Sequence, residues 1–140
     1  MDALANRFYA AVRTFWRGLE SEVCKEMASA LTGPQMYMLH YIHRERQCKL
    51  TQVAEMLEVK PSAVTVMVDR LEKAGYVVRA NDPADRRAIL VEVTPLGEEV
   101  LARAVRKRDE IVEEHLARLT PDERRLVTEL VEKLTGGFGA

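Results

Sequence analysis

The sequence is poor in cysteine and in long apolar runs, and both shortages narrow what the protein can be. No stretch approaches the ~18 consecutive apolar residues of a membrane-spanning helix, and the N-terminus lacks the basic-then-apolar pattern of a signal peptide. Two cysteines, Cys24 and Cys48, in a chain without an export signal indicate free thiols rather than a disulfide framework. We therefore expect a soluble, cytoplasmic protein that does not bind a membrane.

The motifs that mark enzymes are also missing. The chain has no glycine-rich phosphate loop, no nucleophile elbow, no paired metal motif and no internal repeat. We therefore expect neither catalysis nor a cofactor. The 140 residues, 47% apolar and 31% charged, fit one globular domain, or a small domain with helices that need a partner.

The chain also has no excess of positive charge, since its formal net charge is −1. Its distribution is uneven. Residues 60–87 hold six Lys or Arg against four Asp or Glu, whereas residues 95–140 hold eight against ten. The middle of the chain is slightly basic and its end acidic, which supports nucleic-acid binding only weakly.

The middle of the chain carries the signals of short helices. Gly33 suits the left-handed position after a first helix, and Pro34 suits the start of a second. The inward face of that second helix is expected to comprise Met36, Leu39, Tyr41, Ile42 and, as a weaker candidate, His43. A loop containing Gln47 and Cys48 is expected to follow.

Two further helices are predicted after this loop. Thr51, with Glu55 four residues on, opens a short helix, and Pro61 fits the first position of the next because no amide hydrogen is needed there. The buried sides are expected to comprise Val53, Ala54 and Leu57 in the first helix, and Val64, Met67, Val68, Leu71 and Ala74 in the second. Gly75 ends the second helix.

A β-hairpin is predicted after Gly75. Residues 76–79 have the β-branched and aromatic content of a strand, residues 81–85 are rich in turn formers, and residues 88–93 form the returning strand. Two helices followed by a hairpin are the layout of a winged helix-turn-helix, here over residues 33–94. We therefore expect a mainly α fold with a small β-hairpin wing that binds duplex DNA.

The outward side of the second helix has the small, polar and basic residues that a major groove accepts. Ser62 and Thr65 can donate hydrogen bonds to bases or phosphates, while Arg70 and Lys73 are better placed for phosphate. In the wing, a carboxylate beside an arginine can direct its guanidinium into the minor groove. A solvated helix would look similar to this helix, and an ordinary surface hairpin would look similar to this wing. A helix-turn-helix followed by a wing is more specific than either part and favours DNA binding. The candidate DNA-contacting residues are Lys60, Pro61, Ser62, Ala63, Thr65, Val66, Arg70, Lys73, Asp85, Arg86 and Arg87.

A family resemblance rests on these residues. The stretch LTQVAEMLEVKPSAVTVMVDRLEKAGYVVRANDPADRRAILVEVTPLG resembles the core of MarR-type transcription regulators. The wing sequence Asp85-Arg86-Arg87, with Thr94 and Gly97, is similar to the Asp-x-Arg signature of that family. Long helices on both sides fit too, so the resemblance covers almost the whole chain. It implies a homodimer with intertwined terminal helices that reads a palindromic operator, and we expect a repressor.

The resemblance also implies roles for single residues. Arg87 would enter the minor groove with Asp85 as its orienting partner. Ser62, Thr65 and Arg70 match recognition-helix positions. The sequence departs from many relatives at Lys60-Pro61, where they carry small polar residues, and this bears on base preference rather than on the binding mode.

Apolar stripes on both sides of the winged unit indicate dimerisation independently of the resemblance. One runs through residues 1–31 and the other through residues 95–136, with a new helix starting at Thr120-Pro121. The first stripe comprises Leu4, Phe8, Val12, Phe15, Leu19, Val23, Met27 and Leu31. Such faces exceed what a small winged domain can cover, so a second copy is the simplest partner, and folding back on the chain's own domain is the alternative.

The resemblance further implies a small-molecule effector, since relatives often bind small aromatic acids between the dimer helices and the DNA-binding domain. Aromatic rings with polar tips suit such a ligand. The candidates are Phe8, Trp16, Tyr37, His40 and Tyr41, each of which is otherwise an ordinary core residue.

Other sensing chemistries stay open. Cys48, between Arg46 and Lys49, could have a depressed pKa and react, although neither cysteine matches the position used by peroxide sensors of the family. A zinc site could be drawn from His40, His43, Glu22, Glu26, Cys24 and His115, but zinc-sensing relatives use two histidines in the fifth helix, where only His115 is present. A winged helix that binds protein is a further alternative, which would show aromatic anchors.

Overall fold

The computed structural model describes residues 3–27 and 31–138, which contain six α-helices and three β-strands. In chain order these are α1 (Ala3–Glu26), α2 (Gly33–Glu45), β1 (Gln47–Lys49), α3 (Leu50–Leu57), α4 (Pro61–Lys73), β2 (Val77–Asp82), β3 (Asp85–Val93), α5 (Pro95–Leu116) and α6 (Pro121–Thr135). The strands form one antiparallel sheet in the order β1-β3-β2. The mainly α fold with a small wing is confirmed. No helix of the described residues is long and apolar enough to cross a membrane.

The core lies where α2, α3 and α4 meet the sheet and α5. In α4 the predicted inward residues Val64, Val68 and Leu71 are fully buried, because their spacing places them on one face of the helix. The buried apolar residues are Leu19, Val23, Met27, Leu31, Met38, Leu39, Ile42, Cys48, Val53, Ala54, Val64, Val68, Leu71, Val77, Val91, Val100, Leu101, Ala104 and Ile111. This core fixes α4 against the rest of the unit and leaves its opposite side exposed.

Two of the predicted inward positions are wrong. His43 is exposed, because the buried face of α2 runs through Met38, Leu39 and Ile42. Ala74 is exposed because it caps the C-terminus of α4, beyond the last packed turn.

The start of α2 also differs from the prediction. Gly33 is the first residue of α2 and does not have a positive φ. The helix is capped by Thr32, whose Oγ1 accepts the Gln35 amide hydrogen, while Gln35 Oε1 accepts the Thr32 amide hydrogen at 3.0 Å. The first helix, predicted to reach Leu31, ends at Glu26, and residues 28–30 of that prediction lie outside the described part of the chain.

The loop predicted around Cys48 is instead strand β1. Its register pairs Gln47 with Glu92 and Cys48 with Val91, and the Gln47 side-chain amide donates to the Glu92 carboxylate at 2.7 Å. Helix α3 then begins at Leu50, before the predicted Thr51, since Gln52 Oε1 accepts the Lys49 amide hydrogen at 2.8 Å. A strand of three residues has no periodicity to read, and its partner lies far away in the sequence.

The wing is longer and its turn tighter than predicted. Strand β2 extends to Asp82 and β3 begins at Asp85, so that only Pro83 and Ala84 form the turn. The register shifts between Asn81 and Asp82, which places these turn-forming residues at an irregular strand end. Gly75 has φ +85° and ends α4 as predicted.

The two terminal helices are only partly covered by the chain itself. Helix α1 packs on α5 through Leu19 and Val23, whereas its N-terminal half is exposed. Helix α6 has no buried residue, although its predicted start is confirmed by a capping box between Thr120 and Glu123. Arg124 holds α6 to the end of α5, because its Nε donates to the Leu116 carbonyl at 2.8 Å.

Candidate nucleic-acid interface

Helix α4 presents a continuous exposed surface next to the wing. Because each residue advances about 100° around a helix, α4 divides into stripes. The stripe of Val64, Val68 and Leu71 is buried. The residues predicted to face DNA from this region are all exposed: Lys60, Pro61, Ser62, Ala63, Thr65, Val66, Arg70 and Lys73. The structure therefore brings the candidate major-groove residues to one side of the unit.

The hydroxyl of Thr65 differs from the prediction. Its Oγ1 donates to the Pro61 carbonyl at 3.1 Å, so its hydrogen is used inside the helix rather than being free to donate to a base. The oxygen can still accept a hydrogen bond. Val66 is 51% exposed, and an apolar side chain held open to solvent on this helix suits contact with a thymine methyl group.

The carboxylates of the wing hold the backbone. Asp82 Oδ1 accepts the Ala84 amide hydrogen at 2.9 Å, and Asp85 Oδ1 accepts the Arg87 amide hydrogen at 3.0 Å. The sequence predicted that a carboxylate of the wing directs an arginine guanidinium. Instead, the Asp85 carboxylate accepts from the main-chain amide of Arg87, because a short aspartate side chain reaches the amide two residues on. Asp85 thus shapes the tip from which the exposed Arg86 and Arg87 side chains extend.

Free positive charges gather on this surface. Five of its exposed cations form no ion pair within residues 3–27 and 31–138, namely Lys60, Arg70, Lys73, Arg86 and Arg87. The two acids of α4, Asp69 and Glu72, are both paired with Arg79 of β2. Sequence reasoning did not identify Arg79, because only the fold places β2 beside this face of α4.

Three of the five candidate effector residues line one groove. Trp16, Tyr37 and His40 border a groove of about 310 Å³ between α1, α2 and α5. Sequence reasoning missed the other lining residues, because they come from all three helices: Leu19, Glu20, Val23, Cys24, Gly33, Met36, Leu101, Ala104, Val105 and Arg108. The groove is mostly apolar, which suits an aromatic ring, and its few polar groups include His40, Glu20 and Arg108, whose guanidinium pairs with Asp109.

The other two candidates lie elsewhere. Phe8 is 52% exposed in the N-terminal half of α1 and does not line the groove. Tyr41 packs against the core beneath Arg44, whose guanidinium carbon lies 5.6 Å from the ring centroid. Burial is the main cause that raises the pKa of Tyr41. Tyr41 therefore packs against the core and does not line the groove.

Neither cysteine has the electrostatics of a reactive thiolate. Burial, followed by the charge of Glu45, raises the pKa of Cys48 to about 11, which contradicts the depressed value that its basic neighbours suggested. Burial and Glu20 also raise the pKa of Cys24. Both side chains are therefore protonated at neutral pH, and a protonated thiol is a poor nucleophile.

The residues considered for zinc do not form one cluster, although Cys24 and His40 both line the groove. His43 faces Glu98, with 3.9 Å between Nδ1 and Oε1, whereas Glu26 pairs with Lys107. His115 Nδ1 lies 2.8 Å from the Ile111 carbonyl oxygen. Across residues 3–27 and 31–138, no group of three or more His, Cys, Asp or Glu side chains is arranged to hold a metal ion.

Comparison with the sequences of known proteins identifies relatives of this chain. Residues 31–89 match the family model described as MarR family. The transcriptional regulator HosA from Escherichia coli is 30% identical over 132 residues, which are 94% of this chain and 97% of HosA. The transcriptional repressor MdtR from Bacillus subtilis is 28% identical over 134 residues, which are 95% of this chain and 86% of MdtR.

Solved structures show the same fold. YusO from Bacillus subtilis superposes with a TM-score of 0.80 at 27% identity, covering 97% of this chain and 99% of YusO. The transcriptional regulator Tm0710 from Thermotoga maritima gives 0.76 at 29% identity, covering 94% and 93%. A cysteine-to-serine variant of Escherichia coli MarR in complex with operator DNA gives 0.70 at 22% identity, covering 96% and 99%, which shows likeness of fold alone.

Proposed function

Because this chain belongs to the MarR family of transcriptional regulators, we propose that it is a repressor that binds a palindromic operator as a homodimer. The observation that carries this proposal is the group of unpaired cations on α4 and the wing. Contacts with phosphate dominate the affinity of proteins for DNA, and cations already paired with acids contribute less. The repressor named among the relatives supports the direction of regulation.

The binding mode follows from the exposed surfaces. We propose that α4 enters the major groove, with Ser62 and Val66 near base edges and Arg70 and Lys73 near phosphates. The wing lies beside α4, and its tip carries Arg87 toward the adjacent minor groove, where the negative potential attracts a guanidinium. This surface carries no exposed aromatic residue in its described parts, which disfavours a protein-binding module.

The homodimer is supported by apolar surface that the chain leaves open. Exposed large apolar residues lie along α1 up to residue 16 and along α6: Leu4, Phe8, Tyr9, Val12, Phe15, Trp16, Leu126, Val127, Leu130, Val131 and Leu134. Patches of this kind are covered by partners in stable proteins. A second copy offers both helices at once, and a two-fold dimer explains why the operator would be palindromic.

Replacing Arg87 by alanine is expected to weaken operator binding by roughly 1–3 kcal/mol, because a minor-groove arginine adds sequence-dependent contacts. Replacing Arg70 is expected to weaken binding equally for all sequences, with a salt dependence shallower by about one unit of slope. Fluorescence anisotropy with a duplex selected from random DNA measures both quantities. Arg44→Ala on α2, which removes one positive charge away from this surface, is the control. Unchanged affinity in both test variants would contradict the proposed contacts.

A small aromatic acid is proposed to occupy the groove between α1, α2 and α5 and to release the DNA. Trp16 is the single tryptophan of the chain, and its Nε1 donates to Glu20 at 3.1 Å, so its fluorescence reports on this groove. Benzoate or a hydroxybenzoate is expected to change that fluorescence and to lower the affinity for the selected duplex. Cyclohexanecarboxylate, which has the charge without the aromatic ring, is the control. DNA release without a change at Trp16 would place the effector elsewhere.

A further inference from the structure

Arg79 is the arginine that joins the wing to α4. It lies in β2, and its side chain is 24% exposed. One Nη donates to Asp69 and to the Thr65 carbonyl, the latter at 3.4 Å, while the other Nη donates to Glu72 at 3.4 Å. Its backbone amide also donates to Glu72, at 3.2 Å. Four hydrogen bonds thus connect one residue of the wing to α4.

The three residues that Arg79 contacts form a single stripe of α4. Residues 65, 69 and 72 lie one position after the buried residues 64, 68 and 71. They lie one position before the exposed residues 66, 70 and 73. Since one position is about 100° of rotation, the bonded stripe lies between the core and the surface proposed to meet DNA. Arg79 therefore holds α4 at the border of that surface.

Without Arg79, the charges on α4 would cancel. Helix α4 contains two acids, Asp69 and Glu72, and two bases, Arg70 and Lys73. Each acid is adjacent in sequence to a base that is proposed to contact phosphate. A carboxylate without a partner in that position would repel the phosphates and compete for the same cations. A guanidinium shared between both acids offsets one of their two negative charges and engages both carboxylates, which reduces this repulsion and leaves the two bases free.

We propose that Arg79 is a positioning residue for DNA binding, which offsets one of the two negative charges of Asp69 and Glu72, engages both carboxylates and fixes α4 to the wing without contacting DNA itself. Its side chain points to the helix stripe rather than to solvent, as its low exposure shows. Asp69 and Glu72 are 56% and 41% exposed, so water can solvate them when Arg79 is lost. The change in stability is therefore small, whereas the change in DNA affinity is not. This inference rests on the proposed function.

A double-mutant cycle tests this inference. Arg79→Gln keeps most of the side-chain stem and is expected to lower the affinity for the selected duplex about tenfold. Adding Asp69→Asn and Glu72→Gln to that variant is expected to restore affinity to within about threefold of the wild type. The same pair of substitutions in the presence of Arg79 is expected to change affinity less than about threefold, because Arg79 already engages both carboxylates and offsets one of their charges.

Each other outcome has a distinct meaning. Equal gains from the acid substitutions in both backgrounds would show that they act only through the overall charge, and failure to restore binding would show that offsetting the charges of Asp69 and Glu72 is not what Arg79 contributes; either result overturns the proposal. Arg79→Lys, which keeps the charge but not the fork, is expected to lie between the wild type and Arg79→Gln, and it serves as the test if the glutamine variant does not fold. Arg44→Gln controls for the loss of one charge. If the wild type binds no duplex, the proposed function fails instead.

Discussion

Replacing Gly97 by alanine is expected to lower the free energy of unfolding by about 3 kcal/mol, because the added methyl group has no space. A Cβ at this position would lie 2.2 Å from the Tyr76 carbonyl oxygen and 2.7 Å from Val93 Cγ1. The Tyr76 oxygen is backbone and already accepts the Thr94 amide hydrogen at 2.9 Å, so it cannot move aside without breaking that bond. The clash therefore forces α5 away from the wing.

This junction connects the DNA-binding unit to the rest of the chain. Thr94 Oγ1 donates to the Gly75 carbonyl and accepts the Gly97 amide hydrogen at 3.0 Å, which ties the end of α4 to the start of α5. Chemical denaturation at a fixed protein concentration measures the effect. Gly33→Ala is the control, since nothing lies within 4 Å of a Cβ built there. An unchanged midpoint for Gly97→Ala would contradict the tight contact.

Replacing Leu130 by aspartate is expected to convert the proposed dimer to a monomer and to lower operator affinity about a hundredfold. Leu130 is 50% exposed in the chain alone and lies on the apolar face of α6 with Leu126 and Leu134. A carboxylate buried there against a second copy would have no partner. A monomer has only one winged unit and loses the gain in affinity from two linked contacts, commonly about 10²–10⁴-fold.

Sedimentation velocity at micromolar concentration measures the first effect, and anisotropy with the selected duplex measures the second. Glu132→Gln changes one charge on the opposite side of α6 and is expected to remain dimeric. The variants at Arg70 and Arg87 are also expected to remain dimeric, since both residues lie on the DNA side. A dimeric Leu130→Asp protein would exclude this face as the interface.

Much of the DNA-binding unit could be predicted from local signals. Pro61 at the start of α4 and Gly75 after its end are confirmed, because a missing amide hydrogen and a positive φ are properties of single residues. The burial of Val64, Val68 and Leu71 follows from helical spacing alone. The exposed candidates on α4 follow in turn, as they occupy the remaining faces.

Other features could not be predicted, because they depend on contacts between distant residues. The short strand β1 exists through pairing with β3, which joins Gln47 to Glu92 across 45 positions. Cys48 is buried in the folded chain, and this burial, followed by the charge of Glu45, raises its pKa although Arg46 and Lys49 are basic. The residues around Trp16 became a groove only when α1, α2 and α5 came together.

By itself the sequence determined the identity and order of the helices and the wing, most of the buried face of α3 and α4, and the membership of the family. These rest on spacing, capping and turn chemistry, which act over a few residues. The tertiary structure alone decided which charges are free. In the folded chain Asp69 and Glu72 pair with Arg79, and the Asp85 carboxylate accepts a hydrogen bond from the backbone amide of Arg87. Electrostatic pairing depends on distance in space, and folding brings together side chains that the sequence keeps apart.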